Sequence, residues 1–260
     1  MSERRWALIL GASSGFGEAA ARAYAREGYH ILGVHLDRRG ALPRVEALIA
    51  DLRATGQEVH FFNENAADDE ARAGMVAKMV EVVGEGRIAV LLHSLAFGTL
   101  KPFVPTTGRG ASRKQVEMTL DVMANSLVYW TQDVVAAGLL TRGGRVYALT
   151  SAGSHVAWPD YGPVSAAKSA LESYVRQLAL ELAPRGVTVN ALMPGVTRTA
   201  ALDKIPGSDK LLAGALARNP SGRLTVPEDV AEALVTLSQP GTYWITGNVI
   251  RVDGGEDFCG

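Results

Sequence analysis

The chain has 260 residues, 47% of them hydrophobic and 20% charged, with a net charge of −1, which is enough apolar material to bury the core of a single α/β domain spanning 1–260. That balance supplies no basic field for nucleic acid and no like-charged run for a membrane surface, and no stretch of about 18 uninterrupted apolar residues offers a membrane span. The one cysteine, Cys259, excludes an internal disulfide or a cysteine metal cluster, fits a reducing cytoplasm and reads as a surface thiol of no consequence.

Basic residues precede an apolar run in "MSERRWALIL", but the run is too short for a signal peptide and passes straight into glycines, so Trp6–Leu10 reads as a first buried strand. "GASSGFG" follows, with Gly11, Ser13, Ser14, Gly15, Phe16 and Gly17 leading into a helix over Glu18–Glu27. Glycines there permit a tight turn and let backbone amides approach a pyrophosphate at the positive end of the helix, the pattern of a dinucleotide site. A strand over His30–Leu36 ends in "VHLDRR". Asp37, twenty residues after Gly17, is placed to accept from ribose hydroxyls and repel a 2′-phosphate, whereas Arg38 and Arg39 attract one. NADH and NADPH both stay open on these residues.

Further along, strands are expected over Glu58–Phe62, Ile88–His93, Gly144–Thr150, Val187–Leu192 and Asn248–Val252, and helices over Leu42–Thr55, Asp68–Val83, Lys114–Ala137 and Pro227–Leu237. This alternation predicts a Rossmann-type, doubly wound parallel sheet of about seven strands with helices on both faces. Two segments interrupt it, Leu100–Ser112 and Thr199–Leu224. Both follow expected carboxyl ends of strands, where open parallel sheets bind ligands, so they are expected on the substrate side, the second as a mobile lid. The five histidines are scattered, His30, His35 and His60 falling in strands, and suggest no metal site; His93 and His155 read as structural.

"SAGSHVAWPDYGPVSAAKSALESYVRQLALEL", Ser151–Leu182, holds three residues placed for chemistry: Ser151, Tyr161 and Lys168. On an ideal helix the positions four and seven before the lysine lie about 40° and about 20° from it, so a tyrosine at either shares its face, the farther one about 4.5 Å higher along the axis. Pro163 belongs in a first turn, which places Tyr161 at the helix start with Asp160 as a candidate cap. Leu171, Val175, Leu178 and Leu182 recur at helical spacing as a core stripe or a subunit contact.

"GASSGFG", Ser151, the Tyr161/Lys168 pair, "PGVTRT" at Pro194–Thr199 and "VDGG" at Val252–Gly255 together resemble the short-chain dehydrogenase/reductase family over essentially the whole chain. The seven-residue interval between tyrosine and lysine, and "HSLAF" at His93–Phe97, resemble its enoyl-acyl-carrier-protein reductase branch. Two departures stand out. Met123, flanked by Asp121 and Asn125, occupies the place where carbonyl-reducing relatives carry an asparagine, and Ser151 stands where some enoyl reductases have a second tyrosine.

The resemblance implies reduction of an enoyl thioester, an acyl chain on acyl-carrier protein, by NADH or NADPH in a cytoplasmic homotetramer of fatty acid synthesis. The alternatives are a carbonyl or alcohol substrate of the 3-ketoacyl reductase type and a non-catalytic dinucleotide-binding protein. It further implies that Tyr161 stabilises the enolate oxygen, that Ser151 orients the thioester or the tyrosine, and that Lys168 holds the nicotinamide ribose while its charge favours ionisation of the phenol. Thr199 would bind the carboxamide and Asn65 would lie by the adenine, with Ala66, Ser94, Leu95, Pro194, Gly195 and Val196 completing the dinucleotide contacts. A physical reason links the displaced tyrosine to this reaction. Hydride added to a carbonyl puts charge one bond away, whereas conjugate addition to an enoyl thioester puts it three bonds away, so the donor must shift.

Overall fold

The structure is a computed structural model that describes residues 4–199, 201–205 and 207–259. Seven apolar runs form strands: β1 (Arg5–Leu10), β2 (His30–His35), β3 (Val59–Asn63), β4 (Arg87–His93), β5 (Arg145–Leu149), β6 (Thr188–Pro194) and β7 (Val249–Val252). All pair in parallel in the order β3-β2-β1-β4-β5-β6-β7. The central strands are buried on both faces, which explains why they read as continuous apolar runs rather than alternating ones.

Helices α1 (Gly15–Arg26) and α2 (Leu42–Arg53) flank one face, α3 (Asp69–Val83) the other; α4 (Arg113–Leu120), α5 (Ser126–Ala136) and α6 (Gly162–Leu182) lie with α3, and α8 (Pro227–Leu237) packs on α1. Side chains one apart on a strand enter opposite cores: Trp6, Leu8 and Leu10 face α3–α6, while Ala7 and Ile9 face α1, α2 and α8. Leu171, Val175, Leu178 and Leu182 of α6 are all buried in the first of these cores, so the stripe is structural. Strand order reverses between β1 and β4, and the connections that leave them in opposite directions open a crevice at their carboxyl ends.

Three local expectations are corrected. The helix expected over Lys114–Ala137 is interrupted by a π turn at Asp121–Asn125, which separates α4 from α5. The lid expected over Thr199–Leu224 contains a helix, α7 (Ser208–Arg218), begun by Gly207 in a left-handed conformation. Asp160 does not cap α6. It sits at φ 62° and Tyr161 itself is the N-cap residue, without a side-chain cap bond; the left-handed residue turns the chain so that the tyrosine ring, not the aspartate, heads the helix. No described helix is long and apolar enough to cross a membrane.

Candidate active site

At the crevice the backbone of two strands comes into contact, and glycine makes that possible. Ser94 N donates to Leu10 O at 2.9 Å, and a Cβ on Gly11 would stand 2.6 Å from Ser94 O. Gly11 holds φ 91°; a Cβ on Gly17 would strike the Gly11 carbonyl. The turn is thus packed too closely for any side chain at 11 or 17. Ser14 precedes α1 and makes no side-chain cap bond, so the first amides of the helix around Gly15 and Phe16 keep their donors for an anion. At the end of β2, burial works to raise the Asp37 carboxyl, but bonds from Ser13 and His35 and the charge of Arg44 bring it below the ordinary value. The carboxylate is therefore fixed beside the glycine turn, with His35 Nδ1 at 2.9 Å. Arg38 and Arg39 are exposed.

These residues fit a dinucleotide: a glycine cradle closed to side chains, an open helix N-terminus and a held carboxylate. Further out on the same edge, Asn65 is exposed after β3 and its Oδ1 accepts from Ala67 N at 3.1 Å, while Ala66 is buried and its carbonyl accepts from Trp130 Nε1 at 2.8 Å.

Inward from the crevice lies a cavity of about 600 Å³. Phe16, Ser94, Leu95, Pro194, Gly195, Val196 and Thr199 line it from the sides of β1, β4 and β6, and Ser151, Tyr161 and Lys168 line it from β5 and α6. The three residues singled out for chemistry therefore face one space. Ser151 Oγ stands 3.4 Å from Tyr161 Oη, and a Cβ on Gly153 would strike the Tyr161 ring. Lys168 is buried and its Nζ donates to Leu149 O at 2.6 Å. Burial lowers its pKa to about 8, against the opposing charge of Glu172, whose carboxylate accepts from Thr150 Oγ1 at 2.6 Å.

The phenol departs from expectation. Burial raises the Tyr161 pKa, the bond to Ser151 offsets only part of this, and Lys168 is not among the groups acting on it. Rather than being poised to ionise, Tyr161 stays protonated near neutral pH, the state in which it can donate to an oxygen gaining charge. Met123, in the π turn, also lines the cavity and is buried. A Cβ on Gly98 would stand 2.8 Å from its sulfur, so the chain after β4 passes directly over it. Leu95, Leu100 and Val164 make that wall apolar.

Several lining residues escaped sequence reasoning. Thr197 is buried beside Thr199, and Lys210, Arg218, Glu256 and Asp257 enter from α7 and the chain after β7. Cys259, expected at the surface, is half-buried and lines the cavity. His93 is fully buried beneath the site, its Nε2 2.8 Å from Ser126 Oγ and its Nδ1 without a partner among the described residues; burial, then the Lys168 charge, drive its pKa to about 3, so it is neutral. His155 pairs with Asp257 at 3.1 Å, a contact across about a hundred residues of chain that no local pattern announces.

Comparison with known proteins places this geometry. Residues 11–256 match the family described as Enoyl-(Acyl carrier protein) reductase. The chain belongs to this family of short-chain dehydrogenases/reductases. It is accordingly an oxidoreductase with a fold that binds a nicotinamide dinucleotide. It is 28% identical to the (2S)-[(R)-hydroxy(phenyl)methyl]succinyl-CoA dehydrogenase subunit of Thauera aromatica, over 98% of each chain. It is 30% identical to the 1-cyclohexenylcarbonyl-CoA reductase of Streptomyces collinus, over 97% of this chain and 86% of that one. The crystal structure of the NADH enoyl-[acyl-carrier-protein] reductase of Aquifex aeolicus superposes with a TM-score of 0.85 at 26% identity, over 99% of this chain and 97% of that one.

The tight seat of the Tyr161 ring on Gly153 yields a test. Gly153→Ala should leave the far-ultraviolet circular dichroism unchanged but displace the ring, lowering kcat/KM about tenfold or more, since small misplacements of a reacting group are costly. Steady-state oxidation of NADH or NADPH measures it; retention of full activity would show that the ring needs no such seat.

Proposed function

We propose that the enzyme reduces the carbon-carbon double bond of an enoyl thioester, carried on acyl-carrier protein or coenzyme A. The observation that carries this reading is the position of Tyr161. It stands at the very head of α6, seven residues before Lys168, bonded to Ser151 and facing the same cavity, which apolar Met123 also lines. Each relative reported above acts, by its name, on an acyl thioester, and two of the three are reductases of an unsaturated acyl group.

In this reading the turn Gly11–Gly17, Asp37, Lys168 and the segment Pro194–Thr199 hold the dinucleotide, which when bound supplies a hydride. Tyr161 Oη–H donates to the thioester oxygen as negative charge develops there, and Ser151 Oγ, 3.4 Å from it, fixes the direction of that donor. The buried phenol is an electrostatic partner already in place, so little reorganisation is needed as the charge appears. Lys168 presents an ammonium to the ribose hydroxyls from a site where burial makes the charge costly, and the contact with Leu149 O aims it. The apolar wall of Leu95, Leu100, Met123 and Val164 takes the acyl group and excludes water.

Tyr161→Phe removes the donor while keeping the ring. It should lower kcat with crotonyl-CoA by about 10²–10³, with KM little changed, as for loss of one donor to a developing oxyanion. Acetoacetyl-CoA decides the substrate: turnover of the ketone with none of the enoyl thioester would assign the carbonyl chemistry that the Thauera dehydrogenase suggests.

Because the Asp37 carboxylate is fixed beside the glycine turn while Arg38 and Arg39 stand out in solvent, NADH is the preferred reductant. A 2′-phosphate against that carboxylate should cost NADPH about tenfold or more in kcat/KM. Steady-state rates with the two cofactors measure the ratio, which Asp37→Ala should narrow.

The lysine supplies a pH dependence. Burial brings its pKa in the folded protein down from the ordinary lysine value of 10.5 to about 8, so the ammonium is present below pH 8 and lost above it. Affinity for NADH should therefore weaken as pH rises from 7 to 9, and Lys168→Met should bind weakly without that dependence. Fluorescence titration across this range tests it; a flat profile in the unaltered enzyme contradicts the assigned contact.

A further inference from the structure

The chain after β7 crosses the end of the cavity, and its two consecutive carboxylates are committed to different loops. Glu256 Oε2 accepts from Val196 N at 3.0 Å, and Arg218 of α7 lies 3.8 Å from Oε1. Asp257 Oδ1 meets His155 Nε2 at 3.1 Å, while Oδ2 accepts from Arg251 Nε at 2.7 Å. Asp253 fixes the segment itself by accepting from Gly255 N and Asp257 N, both at 2.9 Å.

His155 is in turn fastened to the loop that carries Ser151. Its Nδ1 stands 3.1 Å from Ser154 Oγ, its backbone N donates to Ala152 O at 3.1 Å, and Ser154 N donates to Ser151 O at 3.0 Å. Ser169 Oγ of α6 donates to Ser154 O at 2.8 Å, tying the same loop to the helix of Tyr161 and Lys168. One end of the bracket therefore grips the Pro194–Thr199 segment and the other grips the Ser151 loop. Between them lies the space where hydride donor and proton donor must be aligned. Both carboxylates line the cavity with side-chain exposures of 7% and 9%, yet each already has a protein partner, so neither is free to act on a ligand.

We propose that Glu256 and Asp257 are positioning residues that hold the cofactor-side loop and the acid-side loop in register across the cavity. The inference rests on the proposed roles of those loops. Glu256 acts on the dinucleotide side by satisfying Val196 N, whose amide would otherwise face the cavity without an acceptor. Asp257 acts on the acid side through His155. The two ends are separable because each carboxylate serves a different loop.

The test uses Asp257→Ala, His155→Ala, their double variant, Glu256→Ala and Glu256→Gln in the full chain. It measures NADH affinity by fluorescence, turnover of crotonyl-CoA, and amide hydrogen exchange of 151–158 and 194–199. Asp257→Ala and His155→Ala should each lower kcat/KM about tenfold to a hundredfold through loss of alignment, speed exchange in 151–158 and leave NADH affinity nearly unchanged. The double variant should be no worse than either single one, because both remove the same link. Glu256→Ala should weaken NADH binding about tenfold and speed exchange in 194–199. Glu256→Gln retains a carbonyl acceptor for Val196 N and should restore the affinity.

Unchanged exchange in both loops, additive losses in the double variant, or a Glu256→Gln as impaired as Glu256→Ala would each overturn the proposal. His155 is exposed, so its variant reads the acid-side link even where Asp257→Ala destabilises the fold. If crotonyl-CoA is not turned over, the assignment of the reaction fails, while NADH affinity and exchange still decide the bracket.

Discussion

Both faces of the sheet are covered, and that constraint governs everything about the site. A parallel strand buried on both sides has nowhere to present polar chemistry except beyond its carboxyl end. At that end, where the order turns from β1 to β4, Gly11 and Gly17 let the turn, helix α1 and the chain after β4 approach within backbone contact. A methyl group at either glycine would force these elements apart. The cavity, the open amides of α1 and the placement of Ser94 all follow from that close approach.

The polar groups around the cavity divide by what burial does to them. Buried Lys168 holds its proton less tightly, buried Tyr161 holds its proton more tightly, and His93 beneath them stays neutral. One low-dielectric environment thus favours the uncharged form of all three. The phenol is left as a firm donor, and the ammonium is kept only because its pKa, though lowered, still lies above neutrality. A site arranged this way suits stabilisation of charge arising on a substrate oxygen better than storage of charge on the protein.

Strand runs were legible because a doubly buried strand is a continuous apolar run bounded by turn residues, and the ends differ from expectation by only a residue or two. The glycine turn and the helix-face relation of Tyr161 to Lys168 were legible for the same reason: both depend on local geometry. What escaped depends on tertiary contact. Gly214 depresses helix propensity within Ser208–Arg218, and α7 forms nonetheless as its buried Leu212 and Ala215 pack inward. The capping role offered to Asp160 failed because its backbone adopts a left-handed turn that no neighbouring residue forecasts. The link from His155 to Asp257 joins segments about a hundred residues apart, and the raised phenol pKa reflects burial that composition alone does not reveal.

The π turn at Asp121–Asn125 has an effect beyond its own five residues. A turn closed at i→i+5 accommodates one residue more than an α-helical turn, and each residue advances a regular helix by about 100°. Ser126, Trp130 and Val134, beyond the extra residue, reach the core. Position-by-position alignment with a relative whose helix is regular would compare side chains about 100° apart around the same rod, and a one-residue gap, placed inside a helix rather than in a loop, restores the match there.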